Sequence, residues 1–238
     1  MTILFISDLH LDETRPDVTR SFYYFLKDKA VDVDALYILG DFFEVWLGDD
    51  HETEFNQEII TALDRLDIPL FLMHGNRDFL LGQQFCQQTG ATLLDDPTVI
   101  DIDGDSVLLM HGDSLCTRDE RYMHVRQQLR DENFQRDFLS KTIPERQAIA
   151  NSIRSESQEL TRQAASDIMD VTPLEVENVM RAHGVRTMIH GHTHRPKVHD
   201  LTLDGVAAQR IVLGDWDALG WYLTSTDGDL KLTSFEIR

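Results

Sequence analysis

The sequence predicts an α/β layered fold, and three observations carry that prediction. Short apolar runs alternate with amphipathic stretches, most runs stop abruptly at acidic, amide or imidazole side chains beside a glycine, and the alternation shortens after His194. Taken in order, the predicted strands are Ile3 to Ile6, Leu36 to Leu39, Leu70 to Met73, Val107 to Met110 and Met188 to Ile189. Runs this short and this apolar suit strands buried on both faces. Arg20 to Lys29 and Glu54 to Leu66 have helical periodicity and separate the first three. The later runs, Arg210 to Leu213, Trp221 to Thr224 and Leu230 to Phe235, read as hairpins forming a second sheet.

Residues 118 to about 166 interrupt this pattern. Apart from Pro144 they hold neither Pro nor Gly, and they lack β-branched runs. Tyr122, Val125 and Leu129 share one helical face, as do Phe134 and Phe138, and Ile149 and Ile153 resume the stripe beyond Pro144. Pro144 is expected to break or bend the segment. Lying between two ligand motifs, it reads as a helical cap inserted into a single domain spanning residues 1–238.

At 238 residues with 42% apolar content, the chain can bury a core of its own. The formal net charge of −20 argues against general affinity for nucleic acid, which needs a basic surface. Between Arg118 and Arg162, nine basic residues meet eight acidic ones, so the inserted segment is where an anion meets least repulsion. Cys86 and Cys116 have no Cys-x-x-Cys spacing and read as core residues. No basic region precedes Ile3, so no signal peptide is expected, and no run of eighteen apolar residues suggests a spanning helix.

Five short motifs carry the chemistry: Asp8-x-His10, Gly40-Asp41-x-x-Glu44, Gly75-Asn76-Arg77-Asp78, His111-Gly112-Asp113 and Gly191-His192-Thr193-His194. Each alone recurs by chance; five in sequence, each at a strand end, form a ligand set for two metal ions. The donors are all oxygen or nitrogen, which suits Mn²⁺, Fe²⁺, Mg²⁺ or Zn²⁺, with Mn²⁺ the first expectation. Two close cations need a bridging anion, and Asp41 is expected to supply it. Asp8, His10 and one imidazole of the last motif would serve one ion; Asn76, His111 and the other imidazole would serve the second. An extended His192-Thr193-His194 would aim both rings the same way. Water activated by two cations then makes a serine nucleophile unnecessary, and neither Ser7 nor Ser114 has the context of one. Glu44, Asp78 and Asp113 are expected to orient ligands, as are His74 and His190, while His51, His124, His183 and His199 are expected at the surface.

These motifs resemble those of the calcineurin-like metallophosphoesterases over nearly the whole chain, which implies a β-sandwich flanked by helices with a dinuclear site at one edge. Where that family usually has histidine after Gly-Asn, this chain has Arg77, which can clamp phosphate oxygens and stabilise developing charge but cannot act as an acid near neutral pH. Together with the stretches around Tyr37 to Trp46, His74 to Gly82, Met110 to Thr117 and Ile189 to Pro196, Arg77 makes the chain similar to one subfamily, the UDP-2,3-diacylglucosamine pyrophosphatases of bacterial lipid A synthesis. That resemblance implies Mn²⁺-dependent attack of water at the α-phosphorus of a lipid-linked UDP-sugar. It also implies a cytoplasmic enzyme peripheral on the inner membrane surface, and no protein partner is evident. It further implies Asn76 and Arg77 as catalytic residues, and substrate contacts at Asn76, Arg77, Asp119, Ser157, Thr161 and His192. Thr161 stands where relatives commonly carry asparagine, and Ala164 where they commonly carry lysine; Arg154 and Arg162 are the neighbouring cations. A soluble nucleotide or cyclic-nucleotide phosphoesterase and a non-catalytic scaffold remain the competing readings.

Overall fold

The computed structural model describes residues 1–163 and 170–238, with side chains described through residue 155 and from residue 170. Its strands are β1 (Thr2–Ile6), β2 (Ala35–Leu39), β3 (Leu70–Met73), β4 (Thr92–Leu94), β5 (Thr98–Ile102), β6 (Asp105–Met110), β7 (Thr187–His190), β8 (Lys197–Leu203), β9 (Val206–Val212), β10 (Leu219–Thr226) and β11 (Asp229–Glu236). They form a six-stranded sheet of order β11-β10-β1-β2-β3-β4 and a five-stranded sheet of order β5-β6-β7-β9-β8.

The expected second sheet of C-terminal hairpins is corrected here. The hairpin β8-β9 joins β7 in the five-stranded sheet, whereas β10-β11 returns to the first sheet, with Leu4 opposite Thr224 and Phe5 opposite Leu223. The strands at Val107 to Met110 and Met188 to Ile189 belong to the second sheet, in parallel register with each other. The physical reason is burial. β1 is covered on both faces, and only a long-range strand such as β10 can satisfy its free edge without exposing it.

Alternation along β1 explains the layering. Ile3 and Phe5 face the other sheet, packing with Leu39, Met73, Leu109, Ile189 and Ile211, while Leu4 and Ile6 face the helices. On that outer side α1 (Pro16–Asp28) contributes Val18, Phe22 and Phe25, and α2 (Glu54–Asp64) contributes Ile59, Ile60 and Leu63. The second sheet is covered externally by α7 (Pro173–Ala182), through Val176 and Met180 against Leu108, Met110 and Met188. The short α3 (Gln83–Thr89) adds Phe85 to the first helical layer.

The segment between the fourth and fifth motifs is helical: α4 (Glu120–Leu129), α5 (Glu132–Leu139) and α6 (Ile143–Gln163). Its breaks are set by caps. Asp119 accepts from the backbone N–H of Tyr122, and Asp131 accepts from those of Asn133 and Phe134. Pro144 sits in the first turn of α6, where its missing N–H costs nothing, so the chain breaks just before it. Arg146, only 4% exposed, ties α6 to the core: it donates to the carbonyls of Leu47, Leu139 and Lys141 and pairs with Asp50. Among the described residues, no helix is long and apolar enough to cross a membrane.

Candidate metal centre

The parallel strands β1, β2 and β3 of one sheet and β6 and β7 of the other end at the same edge, and each hands its chain to one of the five motifs. Two groups of donors form there. Asp8, His10 and His194 make one, and Asp41, His111 and His192 the other; within each group one ligand atom per residue lies within 4.8 Å of the rest. Both groups draw on both sheets. The partition of the two imidazoles of the last motif follows the expectation, but their backbone does not. His192 and His194 have φ of 68° and 54°, left-handed values, so the segment is a tight turn and not an extended strand. Asp8, His10 and Asp41 are left-handed as well, at 55°, 50° and 49°. Such conformations cost about 1–3 kcal/mol each in residues other than glycine and persist only where surrounding structure enforces them.

Glycine supplies the room. A Cβ on Gly75 would stand 2.1 Å from the backbone nitrogen of Asp41, and one on Gly191 would stand 2.3 Å from Oδ2 of Asp8. Each of these two glycines therefore makes space for a carboxylate belonging to another motif.

Asp41 lies between the groups: Oδ2 is 3.7 Å from His10 Nε2, and Oδ1 is 3.8 Å from His111 Nε2. Oδ1 also accepts from the backbone N–H of Arg77 at 2.8 Å. Asn76 Oδ1 lies 3.1 Å from His111 Nε2 and 2.9 Å from His192 Nδ1, which places the amide with the second group. In the first group His10 Nε2 and His194 Nε2 face each other at 3.3 Å, and Asp8 Oδ1 is 3.5 Å from the latter.

Three rings are turned inward by partners on their far nitrogen. His111 Nδ1 donates to the carbonyl of Leu39 at 2.9 Å, His10 Nδ1 stands 2.8 Å from Glu44 Oε2, and His194 Nδ1 is 3.4 Å from Asp215 Oδ2. Each arrangement leaves an Nε2 lone pair facing the centre. Asp215 was missed in the sequence, although Gly214-Asp215 follows an apolar run in the same manner as Gly40-Asp41. Asp78 acts on backbone: it accepts from the N–H groups of Phe42, Phe43 and Gly75 and so pins two motif loops together. Asp113 accepts from the hydroxyl of Tyr122 at 3.0 Å and from Nε of Arg126 at 2.8 Å, joining its loop to α4. His74 is held on the carbonyl of Leu81 and the buried His190 against Arg210; neither joins a donor group. His124 and His183 are exposed, and His51 and His199 half-buried. Ser7 is fully buried, its hydroxyl donating to Asp8.

The electrostatics fit divalent cations. Burial would raise Asp8, but His194, His111 and His10 outweigh it and hold its carboxyl well below the usual range. Asp41 is pushed up, by burial first and then by Asp78 and Asp8, although His111 and His10 oppose the rise. Burial would lower His111 and His194, yet the surrounding carboxylates carry them up to about 9 and about 10. His192 falls to about 3 through burial and the charge on His111. Buried carboxylates thus draw protons onto imidazoles at the point where oxygen and nitrogen donors converge. A pair of divalent ions would neutralise the same carboxylates without those protons.

Beside the centre opens a cavity of about 1240 Å³. Asn76, Arg77, Arg118, Asp119 and Tyr122 line its polar part; Val45, Trp46, Phe79, Phe134, Phe138 and Ile153 line its apolar part. Asp119 also caps α4, so its expected substrate contact shares a carboxylate already used once. Ser157, Thr161, Arg162 and Ala164 lie outside the residues whose side chains are described. A groove of similar volume, about 1310 Å³, lies between α1 and α2, lined by Tyr23, Lys27, Glu54 and Arg65, and holds none of the motif residues.

The family model of the calcineurin-like phosphoesterases matches residues 1–196. The chain belongs to that family. This phosphoesterase is 54% identical over 237 residues to the UDP-2,3-diacylglucosamine hydrolase of Pseudomonas entomophila, covering 98% of this chain and 99% of that one. It is 56% identical over 226 residues to the hydrolase of the same name from Pseudomonas paraeruginosa, covering 94% of each. A solved archaeal phosphodiesterase shares the fold, with a TM-score of 0.51 at 14% identity over 99% of this phosphoesterase and 100% of the other chain.

Proposed function

We propose that this phosphoesterase hydrolyses the pyrophosphate bond of UDP-2,3-diacylglucosamine, releasing UMP and 2,3-diacylglucosamine 1-phosphate for lipid A synthesis. The observation that carries the reading is the placement of two three-donor groups, with Asp41 of the second also facing His10 of the first, beside the polar end of a cavity whose other end is apolar. The names of the relatives supply the substrate.

In this reading Asp8, His10 and His194 would hold one divalent ion, Asn76, His111 and His192 would hold the other, and Asp41 would serve both. When bound, such a pair, Mn²⁺ by preference, would supply a water acidified toward neutral pH and would neutralise phosphate charge. Arg77, 29% exposed at the rim, forks onto the phosphate oxygens and stabilises charge growing there. Asn76 and His192 position the diphosphate, and Asp119, Ser157 and Thr161 contact the sugar nucleotide. Water oxygen bonds to the α-phosphorus, the bond to the bridging oxygen breaks, and that oxygen leaves with the sugar phosphate. Helices α4, α5 and α6 form the cap, whose apolar wall receives the acyl chains. The enzyme works peripherally at the cytoplasmic face of the inner membrane, where its substrate resides.

The test is UMP release from UDP-2,3-diacylglucosamine by metal-stripped chain in ¹⁸O-water, with and without Mn²⁺. Metal-dependent release with the label in UMP is expected. Label in the sugar phosphate would move the attack to the other phosphorus. Equal turnover of UDP-sugars without acyl chains would favour a soluble nucleotide phosphoesterase.

A further inference from the structure

Glu44 occupies a position that the proposed reaction does not use directly. Its side chain is 13% exposed and its two oxygens serve different partners. Oε2 stands 2.8 Å from Nδ1 of His10, while Oε1 stands 2.6 Å from a terminal nitrogen of Arg154 on α6 and 3.9 Å from Arg77. Arg154 lines the cavity wall, 41% exposed, and its guanidinium is paired with the half-buried Glu44. The same helix is anchored about two turns earlier by Arg146 on Leu47 and Asp50, which follow Glu44 closely in sequence. One helix therefore grips both ends of the segment from Glu44 to Asp50.

We infer that Glu44 and Arg154 are positioning residues that couple helix α6 to the metal ion held by Asp8, His10 and His194; this rests on the dinuclear reading proposed above. Glu44 fixes the ring of His10 so that its Nε2 lone pair faces the ion, and Arg154 fixes the rotamer of Glu44. Displacing α6, or engaging Arg154 elsewhere, frees Glu44 to turn and releases His10 from its orientation. Occupancy of the first ion site thereby depends on the cap, whereas the second site, built on Asn76, His111 and His192, makes no such contact with α6 among the described residues. Among the described residues the path from Arg154 to the donor group runs through Glu44, so Arg154 is expected to act on that ion through Glu44.

Partners in this position commonly change metal affinity by about 10- to 100-fold when removed. The experiment is titration of metal-stripped full-length chain with Mn²⁺, reading free ion by electron paramagnetic resonance. Wild type should take up two ions. Glu44→Ala should weaken one of them by about 10- to 100-fold and leave the other unchanged. Arg154→Ala should weaken the same ion by about 3- to 10-fold, the scale of coupling through one intermediate residue, and Arg154→Lys should restore most of it. In the Glu44→Ala background Arg154→Ala should have no further effect. Unchanged dissociation constants in Arg154→Ala, or a further weakening in the double variant, would overturn the coupling. Uptake of fewer than two ions by wild type would instead refute the dinuclear reading. Circular dichroism of the stripped chains confirms folding, and Glu44→Gln replaces the alanine variant should that one not fold.

Discussion

Replacing Asp41 by asparagine separates a metal bridge from a structural carboxylate. Asp41 is 2% exposed, and each of its oxygens lies within 4 Å of an imidazole from a different donor group, so one substitution touches both ions. Removing even an outer partner of a ligand costs about 10- to 100-fold in affinity, so as a lower bound each ion loses about 1.4–2.7 kcal/mol, hence about 3–5 kcal/mol of metal-linked stability. For a domain of this size that corresponds to a metal-induced rise in melting temperature smaller by about 6–20 °C. The stripped chain should behave differently. Burial, Asp78 and Asp8 disfavour the ionised form of Asp41 while His111 draws on its charge, so in the stripped chain the two effects oppose each other and the amide, which can still accept from Arg77, should change stability less than it does with metal bound. The assay is thermal unfolding of wild type and Asp41→Asn, each with and without saturating Mn²⁺, alongside UMP release. An equal drop in melting temperature in both states would show a purely structural role, and a full metal-induced rise with normal turnover would refute the bridge.

Arg77→Ala should lower kcat by about 10²- to 10³-fold, the scale for losing one charge-stabilising donor, in a steady-state UMP assay; a change confined to KM would reduce Arg77 to a binding residue. Phe138, 5% exposed in the core, is a poor probe of acyl-chain binding because truncating it costs about 3–5 kcal/mol of stability. Ile153→Asn, at a half-buried cavity position, should raise KM for the diacyl substrate and not for a water-soluble phosphodiester, and equal effects on both would remove its acyl-chain role. The stripped chain should lose stability between pH 7 and 10. His111 and His194 have folded-state pKa values of about 9 and about 10, so the stability they add is complete below about 6.5 and is lost as pH rises through those values. His192, held at about 3, acts only below that window. Melting temperatures across this range check it; saturating Mn²⁺ should flatten the trend, and a rise in the stripped chain would contradict it.

The site was legible because its ligands sit where strands end, and strand ends announce themselves as apolar runs halted by a polar residue. Asp8, Asp41, Asn76 and His111 all obey that rule. Of the helix breaks only the one at Pro144 was expected; those at Asp119 and Asp131 went unread although their signal is local, a capping carboxylate lying two or three residues from the N–H it satisfies. The partition of strands between sheets was not local. Pairing of β10 with β1 joins Leu4 to Thr224, and nothing in either segment specifies the other until both faces of β1 need covering. Left-handed turns at His192 and His194 escaped because a short polar stretch reads as extended unless its neighbours are known. Asp215 and the pairing of Arg154 with Glu44 escaped for a related reason: each partner is distant in sequence, His194 lying 21 residues from Asp215 and Glu44 lying 110 residues from Arg154.

Each donor group takes residues from both sheets, the first from β1 and β7, the second from β2, β6 and β7. Neither sheet alone supplies a complete donor group. The ions would consequently act as a clasp that closes only after the two layers have met, and metal uptake during refolding would time the docking of the sheets rather than the formation of either one. A chelator, by the same logic, would open the sandwich first at the edge where the chemistry is done.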